Sequence, residues 1–225
     1  MDLQQCTAKA ATLCTSMWQG VSYYITLLVE ALIGVFGVRV YEEPRYRVVA
    51  RVDGVEIRSY APRVAAEVAW PVADSAGREQ AFQMLFAYIA GSNEPSSPGN
   101  VRIAMTAPVE VRGRNGVTTN ESIEMLDSNG IAKMRFFLPA KYNLETAPKP
   151  LDARVTLVAI PEQTVAILRF SGSGNDFVER QSEMVAKLAG SHLQPKGPPY
   201  QLYYDPPFTL PFLRRNEAAV DLEAP

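Results

Sequence analysis

The chain runs through one series of local signals twice. A pair of alternating apolar runs, a helix-type stretch, an Ala-Gly terminus, a loop, a further apolar run and a proline break occur in that order, and then occur again. AYIAGS…MTAPV in the first round answers to AKLAGS…YYDPP in the second. The helix-closing glycines, Gly91 and Gly190, stand roughly a hundred positions apart, too far for a solenoid period. Sheets with an apolar face must bury it, so the two units are expected to join around one core. The expected fold is α+β: two βαβ-type halves whose sheets join into one structure around a pseudo-twofold axis, behind an N-terminal helix. A junction between halves leaves a groove between helices and sheet, a common place for a ligand.

The elements follow from periodicity. Tyr46 to Val52, Val55 to Tyr60 and Val64 to Trp70 read as strands, with Asp53-Gly54 as a tight turn and Ala61-Pro62 as a second break. Ser75 to Ala90 reads as a helix that Asp74 or Ser75 can cap. Val101 to Val111 returns as a strand interrupted at Pro108, and Ser122 to Leu126 and Lys133 to Leu138 flank Asn129-Gly130, a hairpin signal. In the second round Val155 to Ile160 and Thr164 to Phe170 are strands, Asp176 to Leu188 is a helix, and Gln201 to Tyr204 and Glu217 to Leu222 are strands.

Two regions are expected, residues 1–40 and residues 41–222, divided by the charged stretch YEEPRYR at Tyr41 to Arg47. Met17 to Val38 is apolar apart from Glu30 and is long enough to span a bilayer as a helix. Gln19, Ser22, Thr26 and Glu30 fall at steps of three or four and would form a narrow polar stripe. Three readings stay open: a spanning helix, an interfacial helix, or a helix that docks on the protein or its own copies. The expected location is therefore cytoplasmic or membrane-associated. A cleaved signal peptide fits poorly, since only Lys9 is basic ahead of the apolar stretch and no A-x-A site follows.

Composition narrows the chemistry. The formal net charge is -2, which gives no broad attraction to nucleic acid, and none is expected as a partner. Both cysteines, Cys6 and Cys14, lie near the N-terminus, so the main body has neither a disulfide nor a thiol nucleophile. The one histidine, His192, excludes histidine-rich metal sites and H-E-x-x-H. No G-x-S-x-G elbow and no P-loop are present. Gly172 to Asp176 reads as a turn with an N-cap, and the Glu42-Glu43 pair as solvated surface. What remains is aromatic and methionine content. The first helix is the informative case: Gln80, Ala81, Phe82, Met84, Leu85, Phe86, Tyr88 and Ile89 leave it little polar surface. Such a helix is either buried on both sides or lines an apolar groove.

Five segments carry a resemblance: VEIRSYAPRVAAEV (Val55 to Val68), AFQMLFAYIAGSN (Ala81 to Asn93), IAMTAPVEV (Ile103 to Val111), MRFFLPAKY (Met134 to Tyr142) and YYDPPFTLPFLRRNEAAVDL (Tyr203 to Leu222). In this order and spacing the chain resembles the SOUL haem-binding protein family from about Tyr41 to Leu222. The resemblance implies an α+β fold of two pseudo-symmetric halves that form a distorted antiparallel β-barrel with two helices. It also implies non-covalent binding of haem or a related tetrapyrrole in an exposed apolar groove beside the first helix. By position, Arg78, Phe82, Leu85, Phe86 and Ile89 would line that groove, with Arg78 placed to pair with a propionate. The histidine proposed as iron ligand in the member that names the family is Ser59 here, and a serine hydroxyl is a poor iron ligand. His192 is the candidate substitute, and tyrosine or methionine ligation stays open.

Three functions are weighed from these residues. The first is a haem or porphyrin carrier or buffer. The second is a haem-degrading enzyme, for which no dedicated acid–base pair is visible. The third is a small-molecule sensor or protein-interaction module, suggested by analogy of fold.

Overall fold

The structure is a computed structural model that describes residues 41–94, 101–113 and 130–223. Met17 to Val38, both cysteines, Ser122 to Leu126 and Asn129 lie outside the described residues.

The first round contains β1 (Tyr46–Val52), β2 (Val55–Tyr60), β3 (Arg63–Pro71), α1 (Gly77–Ala90), β4 (Asn93–Glu94), β5 (Val109–Arg112) and β6 (Ile131–Phe137). The second contains β7 (Lys149–Pro150), β8 (Thr156–Ile160), β9 (Gln163–Phe170), α2 (Phe177–Ala189), β10 (Tyr200–Tyr203) and β11 (Asn216–Asp221). Among the described residues, nine strands form one curled antiparallel sheet in the order β1-β2-β9-β11-β10-β5-β6-β3-β8, and β4 pairs with β7 apart from it. The pseudo-twofold passes between β10 and β5. About it, each half lends a strand to the other: β2 pairs with β9, and β8 with β3. The halves are thus interlocked, which a local reading of two βαβ-type units does not anticipate.

The alternation of side chains gives the sheet two unlike faces. One is apolar and carries both helices. α1 packs Ala81, Leu85, Tyr88 and Ile89 against Val64, Ala66, Val68, Met134 and Phe136. α2 packs Phe177, Met184 and Leu188 against Val55, Ile57, Ala166, Leu168, Ala218 and Val220. The other face is enclosed by the curl and mixes aromatics with buried ions. Arg58 and Arg215 hold Glu217, Arg112 and Arg135 hold Glu110, and Arg135 also holds Glu67. Tyr204 donates to Glu217 at 2.7 Å and Tyr200 to Asp221 at 2.8 Å. The Arg63 guanidinium lies between the Tyr60 and Phe137 rings, and burial pushes its pKa down.

Three local expectations need correction. The run Val101 to Val111 is not one strand. Its first part is irregular: the Ile103 amide donates to the Ile89 carbonyl, Thr106 bridges to Glu42, and only Val109–Arg112 joins the sheet. Glu42 and Glu43 are not merely solvated. Glu42 Oε1 accepts from the Ala140 amide at 2.8 Å, and Glu43 pairs with Arg215 at 3.1 Å. The 41–45 segment is thereby strapped across one end of the sheet. Neither Asp74 nor Ser75 is the α1 N-cap, which is Ala76; Asp74 instead accepts from the Ala76 amide at 3.0 Å. The first residue of α1 is a glycine, Gly77, whose backbone passes against Trp70. A Cβ on Gly77 would sit 2.2 Å from Trp70 Cδ1.

Candidate functional site

α1 has a buried stripe and two flanks. The stripe is set by Ala81, Leu85, Tyr88 and Ile89. Arg78, Phe82 and Phe86 follow one another at steps of four, so they form a single row along one flank. Phe82 and Phe86 remain 41% and 53% exposed although they are large and apolar. Their rings stack 6.2 Å apart with only 11° between the planes. Phe82 also sets its edge on the buried Phe136 of β6 at 5.4 Å, which fixes the row to the sheet.

At the head of the row, the Arg78 guanidinium lies 4.8 Å above the Tyr203 ring. Tyr203 stands on β10, in the central pair of strands, and its ring packs on Phe177 of α2 at 4.8 Å. It therefore touches both helical layers and forms the floor between them. Its hydroxyl donates to Gln201 Oε1 at 2.6 Å. Burial pushes the Tyr203 pKa up, and the nearby Arg78 charge works in the opposite direction.

The five α1 residues expected to line a groove thus separate. Arg78, Phe82 and Phe86 come together on the open flank. Leu85 and Ile89 face the sheet and are 0% and 6% exposed, so they support the row from beneath. His192 is exposed in the loop after α2, on the half of the sheet that α2 covers. Ser59 lies on β2 with its hydroxyl 3.4 Å from Glu162. Tyr203 and Phe136 were not singled out as site residues from the sequence, because their place depends on which strands become central. Their only advance signal was aromatic character in short strands.

The opposite flank of α1 carries a cleft of about 570 Å3, between Gln80, Gln83, Met84 and Ala87 and the segment holding Leu151, Arg154 and Val155. Its lining is mixed, with Arg154 already paired to Asp152 at 2.7 Å. Among the described residues, no group of three or more His, Cys, Asp or Glu could hold a metal ion.

Chemically, the Arg78 row offers a flat aromatic surface with a cation at one end. That arrangement suits a planar apolar molecule bearing a carboxylate. The residues fit a porphyrin plane and a propionate. None in the row is an imidazole or thiolate that would bind iron strongly.

A family model described as SOUL heme-binding protein matches residues 41–221. No curated protein matches the chain. Among solved structures, a hydrolase from Listeria innocua has 14% identity, with 78% of this chain and 94% of that chain covered and a TM-score of 0.52. An uncharacterized conserved protein from Listeria innocua has 15% identity, coverage of 77% and 94%, and a TM-score of 0.54. The EcmrR C-terminal domain has 9% identity, coverage of 80% and 99%, and a TM-score of 0.54. At such identities these structures share the fold alone. The family match is different in kind, because it runs through both interlocked halves and takes in α1, β10 and the segments between them. The chain belongs to the SOUL heme-binding protein family.

Proposed function

We propose that the protein binds haem or a related tetrapyrrole, without covalent attachment, as a carrier or buffer, on the flank of α1 that presents Arg78, Phe82 and Phe86. The observation that carries this reading is the stacked Phe82–Phe86 pair. Two phenylalanines about half exposed, with nearly parallel rings, leave apolar surface in water that a flat ligand would cover. The membership of the chain in a family named for heme binding supports the ligand class. Arg78 lies one helical turn before Phe82, where its guanidinium, held over the Tyr203 ring, can donate to a propionate. Haem would bring its own iron chemistry; the part of the chain's residues is to bind and orient the macrocycle.

Titration with hemin tests the proposal. A saturable shift of the Soret band, with quenching of tryptophan emission, is expected for the wild type, and both should weaken in Phe82→Ala and Phe86→Ala. The absence of any saturable spectral change at micromolar hemin would refute it.

A further inference from the structure

The loop from Pro206 to Arg214 holds apolar side chains out into solvent. Phe208 is 57% exposed, Leu210 36% and Phe212 71%. The loop is braced in this shape from within. The Thr209 amide donates to the Pro206 carbonyl at 3.1 Å and the Leu213 amide to the Leu210 carbonyl at 2.9 Å. Arg214 Nε donates to the Thr209 carbonyl at 2.7 Å, and its Nη2 donates to the Pro207 carbonyl. Three prolines, Pro206, Pro207 and Pro211, restrict the backbone further. A braced loop that exposes two phenylalanines gives up the hydrophobic stabilisation their burial would bring.

Its position is informative. The loop base is closed by Arg215, whose amide donates to Asp205 Oδ2 at 2.6 Å and whose guanidinium pairs with Glu43 at 3.1 Å. Glu43 is only five residues beyond Val38, where the apolar stretch Met17 to Val38 ends. Five extended residues reach roughly 17 Å at most. In sequence, the apolar stretch thus ends shortly before Glu43, which pairs with the residue that closes the base of the exposed loop. That stretch has one charge in about 20 residues and is apolar enough to enter the interface of a bilayer. Arg45 and Arg47, just beyond Glu43, are exposed and suit anionic headgroups.

We infer that the Pro206 to Arg214 loop is a lipid-inserting loop, with Phe208 and Phe212 entering the apolar edge of a bilayer, in a chain whose sequence carries a second apolar stretch from Met17 to Val38. Bilayer attachment through one apolar element is often marginal, and a second contact makes it stable and fixes the orientation of the domain. Side chains exposed to this degree stand clear of the surface around them. Such projecting side chains suit insertion into a fluid phase, which needs no fixed complementary surface.

The test uses the full chain and vesicles of phosphatidylcholine with a minor fraction of phosphatidylglycerol. Wild-type protein should float with the vesicles, and Phe208→Ser/Phe212→Ser should partition at least about tenfold more weakly. Phe212→Trp is then read against vesicles brominated in the acyl chains. Its emission should be quenched beyond the level that Trp18 and Trp70 give in the wild type. Circular dichroism of both variants should match the wild type. Three results would overturn the inference: no flotation of the wild type, flotation without extra quenching in Phe212→Trp, or a blue-shifted emission of the added indole before vesicles are present. The last would mean that protein covers the loop.

Discussion

Glu217 takes both terminal nitrogens of Arg58, with Nη1 2.9 Å from Oε2 and Nη2 3.1 Å from Oε1. Both side chains are buried, and the bond reaches across β9, which lies between their strands. It ties the first round of the chain to the second. Burial works against the Arg58 charge, and Glu217 more than offsets it, so the guanidinium is held firmly protonated. Removing Arg58 leaves the buried Glu217 with Arg215 and Tyr204, and removing Glu217 leaves Arg58 with Glu56. Arg58→Met is expected to cost about 2–3 kcal/mol in urea denaturation, and Arg58→Met/Glu217→Leu less than the sum of the two single variants. Additive losses would show that the two groups act independently.

The row on α1 and the stripe beneath it should respond in opposite ways. Phe86→Ala should lower hemin affinity by about tenfold with stability nearly unchanged, because the ring is largely exposed. Leu85→Ala removes a fully buried side chain and should cost about 2–5 kcal/mol. Paired hemin titration and thermal melts check this, and a Phe86→Ala variant that binds normally would move the ligand elsewhere.

His192→Ala should leave the Soret spectrum of the hemin complex as it is in the wild type. The residue is exposed on the half of the sheet that α2 covers, away from the Arg78 row. A spectrum that changes toward a ligand-free iron would make His192 the axial ligand after all.

Alkaline pH should unfold the protein earlier than a chain without buried tyrosines. Burial pushes the Tyr88 hydroxyl up to about 12, and Tyr60, Tyr200 and Tyr204 are also raised by burial. An unfolded tyrosine titrates near 10. Between these values the unfolded chain sheds protons that the folded chain keeps. Stability is therefore full below a pH of about 10 and is lost as pH rises through about 12. Melting temperatures across that range should fall, and Tyr88→Phe should flatten part of the slope. Tyr88→Phe also removes the bond from its hydroxyl to the Pro148 carbonyl at 2.8 Å, at about 1–2 kcal/mol near neutral pH.

Gly77→Ala should shift the Trp70 emission and cost about 1–3 kcal/mol, since the new methyl occupies the place of the indole edge. Unchanged emission with an unchanged melt would show that Trp70 moves aside freely.

Element positions were largely legible in the sequence. β2 and the turn at Asp53-Gly54 came out as read, and α1 and α2 agree within one or two residues at most ends. The signal was the switch between a period of two and a helical period, and local chemistry sets both. Partnerships between strands were not legible, because β2 pairs with β9 across the two halves and no local pattern encodes that exchange. The ions on the curled face were missed for a related reason. Charged residues such as Arg58 and Glu217 in a strand carry no local sign of burial, but the curl of the sheet encloses both. The candidate site was half legible. Apolar character all round α1 was plain, whereas the separation of Phe82 and Phe86 from Leu85 and Ile89 depends on how the helix is rolled onto β3 and β6.

The two unlike faces of the sheet also protect its assembly. Two similar halves invite a strand to pair with the wrong neighbour or one position out of step. A slip of one residue in β11 would turn Glu217 toward α2 and place Ala218 among arginines. Each such slip would strand charges under a helix, so alternation acts as an error check. The buried ions serve as address labels that tell the chain which of two similar docking places is the right one.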